Sequence, residues 1–371
     1  MVHVTEPVDG GVARCVVEYV RDQVRRGWAV TVVSPPEPSF ISELEAVGAR
    51  HVDLPVPPRL ADDRPGRPRP SELLRGGRVI ARAVAREKPD VVHLHSSWAG
   101  LAGRLTLRGR APTLFQPHGW SFDAVAPRLR SPARLWERFA SRWTTGIVCV
   151  SEGERNRGAD AGIVARWHVV PNGIDVGTAQ PATVAERDAA RTALGIPPQN
   201  RVALCVGRLS AVKGQDVLLD AWASVASTVP DALLLLAGDG PDRAELEARR
   251  LERVRFLGRP TDLPAVYAAA DLLVIPSRSE GMSITMLEAM ARGRCIVSTD
   301  VGGAREAIGT ESGTVVPVEG ASALADALVL RLADRELAER EGTAARRRVE
   351  TSFDIGRATE ALADVYRLRT N

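Results

Sequence analysis

The feature that most restricts how this chain can fold is an alternation of short apolar runs with amphipathic helical stretches, and the pattern occurs twice. Such an alternation predicts parallel β-sheets whose strands are joined by crossover helices. The runs are nearly continuous in apolar residues, as expected of strands covered on both faces. The predicted strands are His3–Thr5, Ala29–Val33, Val91–His95, Thr113–Gln116, Ile147–Val150 and His168–Val170 in the first half, and Val202–Val206, Leu233–Ala237, Val254–Leu257, Leu272–Ile275, Cys295–Ser298 and Gly313–Val316 in the second.

The length of 371 residues suits two domains better than one. We place the first domain at residues 1–172 and the second at residues 173–352, with a linker over Asn172–Asn200 that is rich in Gly, Pro, Thr and Ala. Residues 353–371 follow the second sheet, and the helical apolar spacing of Phe353–Arg369 predicts a helix that crosses back onto the first domain. We therefore predict an α/β fold of two Rossmann-like, doubly wound domains facing a cleft, with ligands at the carboxyl ends of the strands.

Composition excludes several classes of protein. No apolar run reaches the roughly 18–20 residues of a membrane span, and the N-terminus lacks the pattern of a signal peptide. The four cysteines are far apart in sequence, which predicts buried free thiols rather than disulfides. The segment Pro55–Pro70, rich in Pro and Arg, is predicted to be a solvated loop. These features favour a cytoplasmic protein.

Charge is distributed unevenly between the two halves. Residues 1–175 carry 25 Lys and Arg against 19 Asp and Glu, whereas residues 176–371 carry 24 against 27. A nucleic-acid-binding protein would show a denser basic field, so we exclude that class. A weakly basic half suits phosphorylated substrates or an anionic lipid surface.

One predicted helix, which we start at Pro132, has the pattern of a membrane-surface helix. Arginines recur every four residues on one side, and large apolar side chains lie on the other. Peripheral contact with the inner face of the cell membrane is one interpretation; apolar packing beneath the sheet, with the arginines in water, is the other. The arginines are Arg130, Arg134, Arg138 and Arg142, and the apolar residues are Leu129, Trp136, Phe139 and Trp143.

The segment Pro276–Met290, PSRSEGMSITMLEAM, has the order strand, glycine loop and helix N-terminus. Ser283 is predicted as the N-cap, and the free backbone N–H groups beyond it favour an anion, helped by the helix dipole. Glu280 in the loop could accept hydrogen bonds from sugar hydroxyls, and Glu288 on the helix could reach a ribose. An ordinary strand-to-helix connection with two surface glutamates is the alternative.

A second segment, Val206–Gly214, VGRLSAVKG, delivers Arg208 and Lys213 just beyond a strand. Two cations at this position suit a diphosphate, because Arg binds phosphate bidentately and Lys acts as a point charge. Two solvated loop cations are the alternative.

Two further strand ends carry weaker signals. Asp9-Gly10-Gly11 follows the first strand, where glycine lets backbone approach a ligand. His118, in the PHGW segment, also follows a strand and could contact a sugar hydroxyl. The chain has no D-x-D sequence, Walker loop, G-x-S-x-G elbow or zinc-ligand spacing, so no metal or other cofactor is expected.

Together these segments resemble the retaining glycosyltransferases of family 4, the group 1 glycosyl transferases, which have the GT-B fold. VGRLSAVKG, LLLLAGDGP, PSRSEGMSITMLEAM and VSTDVGGAREAI occur in the order and at the spacing of the family, and QPHGWSFD, VCVSEGER and VVPNGID match more loosely. The chain departs from the family at Trp98, where a basic residue is more frequent. This departure removes any inference about acceptor charge.

The resemblance implies a role for each matching residue. Glu280 contacts hydroxyls of the donor sugar, Glu288 binds the ribose, and His118 lies against the sugar. Arg208 and Lys213 bind the diphosphate. The remaining donor-binding residues are Gly11, which approaches the diphosphate from the first domain, Gly258 and Arg259, which frame the base, and Gly281, Met282, Ser283 and Ile284, which supply backbone groups.

The predicted reaction is the retaining, metal-independent transfer of a glycosyl group from a nucleoside-diphosphate sugar to a sugar or lipid-linked acceptor, in bacterial envelope polysaccharide or glycolipid assembly. A small-molecule acceptor, or a sugar-nucleotide 2-epimerase that uses the same cleft without an acceptor, is the alternative. A sugar-nucleotide-binding protein without activity is disfavoured, because Arg208, Lys213, Glu280 and Glu288 are all present.

Overall fold

The computed structural model describes residues 1–55 and 70–368, which form two compact units. The first unit comprises Met1–Gly173 and the chain from Ile355 onward, and the second comprises Ile174–Asp354. Most of the segment predicted as a Pro-rich loop, residues 56–69, lies outside the described residues. Each unit is described by itself below.

The first unit is built on a parallel sheet of seven strands in the order β3-β2-β1-β4-β5-β6-β7. The order reverses between β1 and β4, as in a doubly wound sheet. The elements in chain order are β1 (Val2–Thr5), α1 (Gly10–Arg25), β2 (Thr31–Ser34), α2 (Pro38–Ala46), β3 (Arg50–Asp53), α3 (Pro70–Glu87), β4 (Val92–His95), α4 (Ser96–Leu107), β5 (Thr113–Gln116), α5 (Ser121–Ala124), α6 (Pro127–Ala140), β6 (Gly146–Cys149), α7 (Glu152–Asp160) and β7 (Trp167–Val169).

The second unit repeats this plan with six parallel strands in the order β10-β9-β8-β11-β12-β13. Strands β8, β9, β11 and β12 are buried along nearly their whole length, which explains their continuous apolar sequence. The elements are α8 (Val184–Ala193), β8 (Arg201–Val206), α9 (Gln215–Thr228), β9 (Ala232–Ala237), α10 (Arg243–Glu247), β10 (Val254–Gly258), α11 (Leu263–Ala269), β11 (Leu272–Ile275), α12 (Ile284–Ala291), β12 (Cys295–Thr299), α13 (Ala304–Ile308), β13 (Gly313–Val316), α14 (Ala321–Ala333) and α15 (Arg335–Ser352).

Two sequence predictions about local structure are wrong. The proposed linker contains α8, whose N-terminus has a capping box between Thr183 and Glu186. Pro132 lies inside α6 rather than at its start, because that helix begins one turn earlier at Pro127. Pro127 occupies the first turn, where its missing N–H costs nothing.

The predicted C-terminal crossover is confirmed by the last helix, α16 (Ile355–Arg367), which belongs to the first unit and packs on α1. The ring of Tyr366 meets that of Trp28 edge-on, with 5.9 Å between the ring centroids. Nε2 of Gln23, which is buried in α1, donates a hydrogen bond to the Tyr366 hydroxyl at 3.4 Å. The contacts of α16 are thus both apolar and polar.

All four cysteines are buried free thiols, as predicted. Burial raises the pKa of the Cys205 thiol to about 12. Across residues 1–55 and 70–368, no helix combines the length and apolar character needed to cross a membrane.

Candidate functional site

The candidate site of the second unit lies at the carboxyl ends of β8 and β11, which are adjacent strands. The loops that follow them approach each other backbone to backbone. Gly214 has φ +67°, and a Cβ there would lie 2.1 Å from the carbonyl oxygen of Pro276. Only glycine fits this position, so its presence lets the two loops form one surface.

Lys213 and Glu280 meet on this surface. Nζ of Lys213 donates to Oε1 of Glu280, and the Ser277 hydroxyl donates to the same oxygen at 2.8 Å. The resemblance assigned the lysine to the diphosphate and the glutamate to the sugar, and the structure places the two groups in direct contact. A ligand that bound here would meet both a cation and a hydrogen-bond acceptor.

Arg208 contributes a second cation on the loop after β8. Its backbone carbonyl accepts a hydrogen bond from Nε2 of Gln215 at 2.9 Å, which fixes the backbone. Nε and Nη2 of its guanidinium are buried, yet they have no hydrogen-bond partner among residues 1–55 and 70–368. Buried donor nitrogens without an acceptor are costly, and a phosphate oxygen is the acceptor that would best relieve that cost.

Arg278 joins the two loops, and sequence reasoning missed it. Its guanidinium binds both carboxylate oxygens of Asp216 at 2.7 Å and donates to the Ala211 carbonyl at 2.6 Å. This contact holds the pKa of Asp216 below its usual value. Arg278 lies in the glycine loop two residues before Glu280, and its charge alone gave no signal of a structural role.

The N-terminus of α12 follows the loop after β11. Ser283 occupies the N-cap position, but its hydroxyl bonds to Thr285 at 2.8 Å and does not cap the helix. Met282, Ser283 and Ile284 are buried, and the carbonyl of Gly281 accepts the N–H of Gly303 at 2.6 Å. The first turn of the helix therefore keeps its N–H groups free of a side-chain cap from Ser283.

Glu288 lies on α12 and is buried. Its Oε2 accepts a hydrogen bond from the Tyr267 hydroxyl at 2.8 Å, and the Arg292 guanidinium lies 5.1 Å from the centroid of the Tyr267 ring. These contacts hold the side chain of Glu288, the residue predicted to bind the ribose, in a fixed orientation. Tyr267, on α11, was not predicted, because an apolar helix gives no sign that one hydroxyl will meet a carboxylate.

Gly258 ends β10, two strands away from β8. Its carbonyl accepts the N–H of Gly238 at 2.6 Å, so this strand end is tied to the one beside it. Arg259, the next residue, is exposed. The role assigned to these two residues, framing the base, stays a prediction.

Two predicted residues lie in the first unit. Gly11 is exposed in the first turn of α1, which begins at Gly10. His118 follows β5 in the left-handed region, with φ +53°, and Gly119 continues the turn at φ +103°. Such backbone costs about 1–3 kcal/mol for a residue other than glycine, so surrounding contacts must hold it. Burial lowers the pKa of His118 to about 3.

Glu154, which was quoted only as part of a loose motif, holds this turn. Its buried carboxylate accepts the N–H of Gly119 at 2.5 Å and the N–H of Val150 at 2.7 Å. Ser151 caps α7 by accepting the N–H of Glu154 at 3.0 Å. Desolvation raises the pKa of Glu154 to about 7, against the opposing effect of the two backbone hydrogen bonds.

We expect the stability difference between the wild type and Glu154→Gln to depend on pH. Because the folded-state pKa lies above the ordinary 4.5, ionisation costs stability as pH rises from 4.5 through 7. The wild type should lose up to about 3 kcal/mol relative to the variant over this range. Urea unfolding of both proteins at pH 4.5 and pH 8 measures the change. Glu152→Gln, at an exposed position of the same helical turn, is the control and should show no such trend.

Comparison with known proteins identifies the family. The family described as glycosyltransferase family 4 matches residues 9–178, and that described as glycosyl transferases group 1 matches residues 200–334. A D-inositol 3-phosphate glycosyltransferase of Jonesia denitrificans is 30% identical over an alignment that covers 97% of this chain and 92% of the relative. The chain belongs to glycosyltransferase family 4.

A further relative and two solved structures are also similar to this chain, and the solved structures share its fold. The lipopolysaccharide core biosynthesis mannosyltransferase LpsB of Rhizobium meliloti is 31% identical over 62% of this chain and 68% of its own. HepE of Anabaena, in complex with UDP and glucose, matches with a TM-score of 0.81 and 21% identity over 98% of both chains. Sucrose-phosphate synthase of Thermosynechococcus elongatus gives a TM-score of 0.83 and 22% identity over 99% of this chain and 98% of its own.

The predicted GT-B fold and the predicted family are therefore confirmed, and this family 4 protein is a glycosyltransferase. The structure also explains the departure at Trp98. This side chain is buried, and a Cβ on Gly76 of α3 would lie 2.4 Å from its ring. Trp98 thus belongs to the core of the first unit.

Proposed function

We propose that this glycosyltransferase binds a nucleoside-diphosphate sugar through Arg208, Lys213, Glu280 and Glu288, and that it retains the anomeric configuration without a metal. The observation that carries the proposal is the half-buried Arg208, whose guanidinium has two buried and unpaired nitrogens, at the same sheet edge as Lys213. That arrangement fits a diphosphate better than any neutral ligand.

In the proposed reaction the bond between the anomeric carbon and the diphosphate oxygen breaks, and the acceptor oxygen bonds to the same face of the sugar. The acceptor proton passes to the departing diphosphate. Arg208 and Lys213 stabilise the negative charge that develops on the leaving group. Glu280 accepts hydrogen bonds from sugar hydroxyls and is itself oriented by Ser277.

The charges of the site support metal independence. A divalent cation that binds a diphosphate needs oxygen ligands, whereas Glu280 is already paired with Lys213. Two side-chain cations supply the compensation that such a metal would give. We expect turnover to be unchanged by EDTA, and a loss that Mg²⁺ or Mn²⁺ reverses would contradict this part of the proposal.

For the acceptor we propose a sugar or lipid-linked sugar of the bacterial envelope. A relative in Escherichia coli is named a galactosyltransferase acting on GlcNAc-diphosphoundecaprenol, and it is 26% identical over 77% of this chain. A small phosphorylated acceptor is the second candidate, favoured by the near-complete alignment with the inositol 3-phosphate enzyme.

The decisive experiment screens UDP-, GDP- and dTDP-sugars for stabilisation of the purified protein. A donor at 100 times its dissociation constant should add about 2.7 kcal/mol to the free energy of unfolding. The stabilising donor is then incubated with candidate acceptors, and NMR reports the anomeric configuration of the product. An inverted product would overturn retention, and epimerisation of the donor without an acceptor would favour the 2-epimerase alternative.

Helix α6 supports peripheral contact of this enzyme with the inner face of the cell membrane. Leu135 is 66% exposed and Phe139 is 41% exposed. Arg130, Arg138 and Arg142 are exposed near them. The exposed face is therefore both apolar and basic, while Trp136 and Trp143 are partly buried beneath it. Of the two interpretations of the sequence, this surface favours the membrane.

We expect the protein to float with phosphatidylglycerol vesicles but not with phosphatidylcholine vesicles. Replacing Arg130, Arg138 and Arg142 with Gln should weaken that binding by about a hundredfold, because each basic residue contributes roughly 1 kcal/mol at an anionic surface. A triple substitution in α3, of Arg75, Arg78 and Arg82, is the matched control. Equal loss in both variants would argue against a specific role for α6.

A further inference from the structure

A chain of buried histidines leads from the C-terminal helix of the first unit to His118. His3 lies on β1 and His95 on β4, and neither is exposed. Nδ1 of His3 is 2.9 Å from Nε2 of His95, and Nδ1 of His95 is 3.1 Å from Nε2 of His118. Three imidazoles, one within β1, one at the end of β4 and one in the loop after β5, thus form one continuous hydrogen-bonded chain.

The far end of the chain is an amide. Oε1 of Gln23 lies 2.8 Å from Nε2 of His3, and Nε2 of Gln23 donates to the hydroxyl of Tyr366. That hydroxyl lies 2.7 Å from Nδ1 of His93. The amide oxygen can only accept a hydrogen bond. Tyr366 and Gln23 therefore fix the direction of donation at this end of the histidine chain.

The imidazoles are neutral. Burial lowers the pKa of His3 to about 4 and holds those of His93 and His95 well below the usual range. A neutral imidazole has one N–H donor and one acceptor nitrogen. A histidine that donates a hydrogen bond through one ring nitrogen must therefore accept one through the other.

The amide oxygen of Gln23 determines which ring nitrogen carries the proton in each histidine. His3 must donate through Nε2 to the amide oxygen, so its Nδ1 accepts from Nε2–H of His95. Nδ1 of His95 then accepts from Nε2–H of His118. His118 is left with the proton on Nε2 and a lone pair on Nδ1. Nδ1 has no hydrogen-bond partner in the described part of the chain.

We propose that Gln23, His3 and His95 are positioning residues that set the tautomer of His118, so that its Nδ1 is presented as an acceptor for a hydroxyl of the bound sugar. This inference rests on the proposed function for the binding of a donor sugar, and on the contact between His118 and that sugar which the family resemblance implies. It explains why a glycosyltransferase would bury His3 and His95 in the centre of a sheet, where apolar side chains would pack at lower cost. It also gives α16 a part in the site through Tyr366.

The test is nitrogen-15 NMR of the histidine rings in the protein without donor, because ring shifts distinguish the two tautomers. The wild type should show His118 as the Nε2–H tautomer alone. Gln23→Met removes the accepting oxygen two rings away, keeps the volume, and should leave both tautomers of His118 populated. His51→Gln is the control, since His51 bonds to Ser34 on β2 and does not join the chain.

Kinetics supply the second measurement. In Gln23→Met we expect kcat to fall about fivefold with little change in KM for the donor, the equivalent of one hydrogen bond of about 1 kcal/mol. If Gln23→Met does not fold, Tyr366→Phe frees the amide to rotate and should produce the same mixture of tautomers.

Three results would overturn the proposal. One is an unchanged His118 tautomer in the folded variant, and another is a wild-type His118 that carries its proton on Nδ1. The third is stoichiometric metal in the purified protein. His3, His93 and His95 have ligand atoms within 4.8 Å of one another, and a metal bound there would replace the hydrogen bonds between the histidines. A failure of the proposed donor contact would appear differently, as altered tautomers with unaltered kcat.

Discussion

Replacing Lys213 with Ala should lower kcat by about two orders of magnitude or more, because a well-placed donor at a developing charge contributes about 3–4 kcal/mol. The ammonium group lies beside Glu280 on a loop held by Arg278. Its position is therefore fixed before the donor binds, and no reorganisation is needed when the leaving group becomes charged. Turnover with the donor found by the stabilisation screen measures the effect, and near-normal activity would contradict the assignment.

Two controls separate chemistry from structure. Lys88 is the only other lysine in the chain, and Lys88→Ala at this exposed position should leave kcat unchanged. The double variant Lys213→Ala/Glu280→Gln removes the unpaired carboxylate that the single variant leaves behind. If Lys213 served only to pair with Glu280, the double variant would be as active as Glu280→Gln alone. We expect it to be far less active than Glu280→Gln, because the leaving group then lacks the cation.

Sequence reasoning located the sheets well because buried parallel strands are nearly continuous in apolar residues. It missed β3, an edge strand of the sequence Arg-His-Val-Asp whose ends are exposed, because a half-solvated strand needs no apolar run. It also treated the stretch containing α8 as linker, since Gly and Pro on either side masked a ten-residue helix with a capping box. The spacing of apolar residues along the sequence predicts a strand or helix only where that element is buried on one face or on both.

The site was harder to predict than the fold. Arg208, Lys213 and Glu280 follow strand ends, and topology brings such positions together. The residues that fix the loops of the site cannot be found from a position after a strand end. Arg278 and Glu154 act through contacts with backbone groups far away in sequence, and no spacing along the chain reports such a partner. The same holds for His95, which appears in sequence as one more residue of a strand.

A buried ion pair in the first unit should give the largest effect on stability. Nη2 of Arg104 on α4 lies 2.7 Å from Oε2 of Glu137 on α6, and their side chains are 0% and 2% exposed. We expect Arg104→Met to lower the free energy of unfolding by about 3–5 kcal/mol, because it leaves a buried carboxylate without its cation. Urea unfolding followed by circular dichroism measures the change.

The double variant Arg104→Met/Glu137→Leu should cost much less than either single substitution, because apolar residues can replace a buried ion pair with little loss. Its surroundings favour this, since the Arg104 guanidinium already lies 3.9 Å from the centroid of the Phe115 ring. Arg335→Met, which breaks an exposed pair with Glu339, is the control and should cost less than about 1 kcal/mol. If the double variant lost as much free energy of unfolding as the two single variants together, the result would contradict coupling between Arg104 and Glu137.

The same double variant tests what the pair does for function. Arg104 joins α4 to α6, the helix whose exposed face we expect to meet the membrane. If apolar packing holds α6 in place once both charges are gone, the double variant should float with anionic vesicles as the wild type does. If flotation is lost while the folded state remains stable, the ion pair sets the orientation of α6 rather than its stability, and the membrane-facing surface depends on that buried contact.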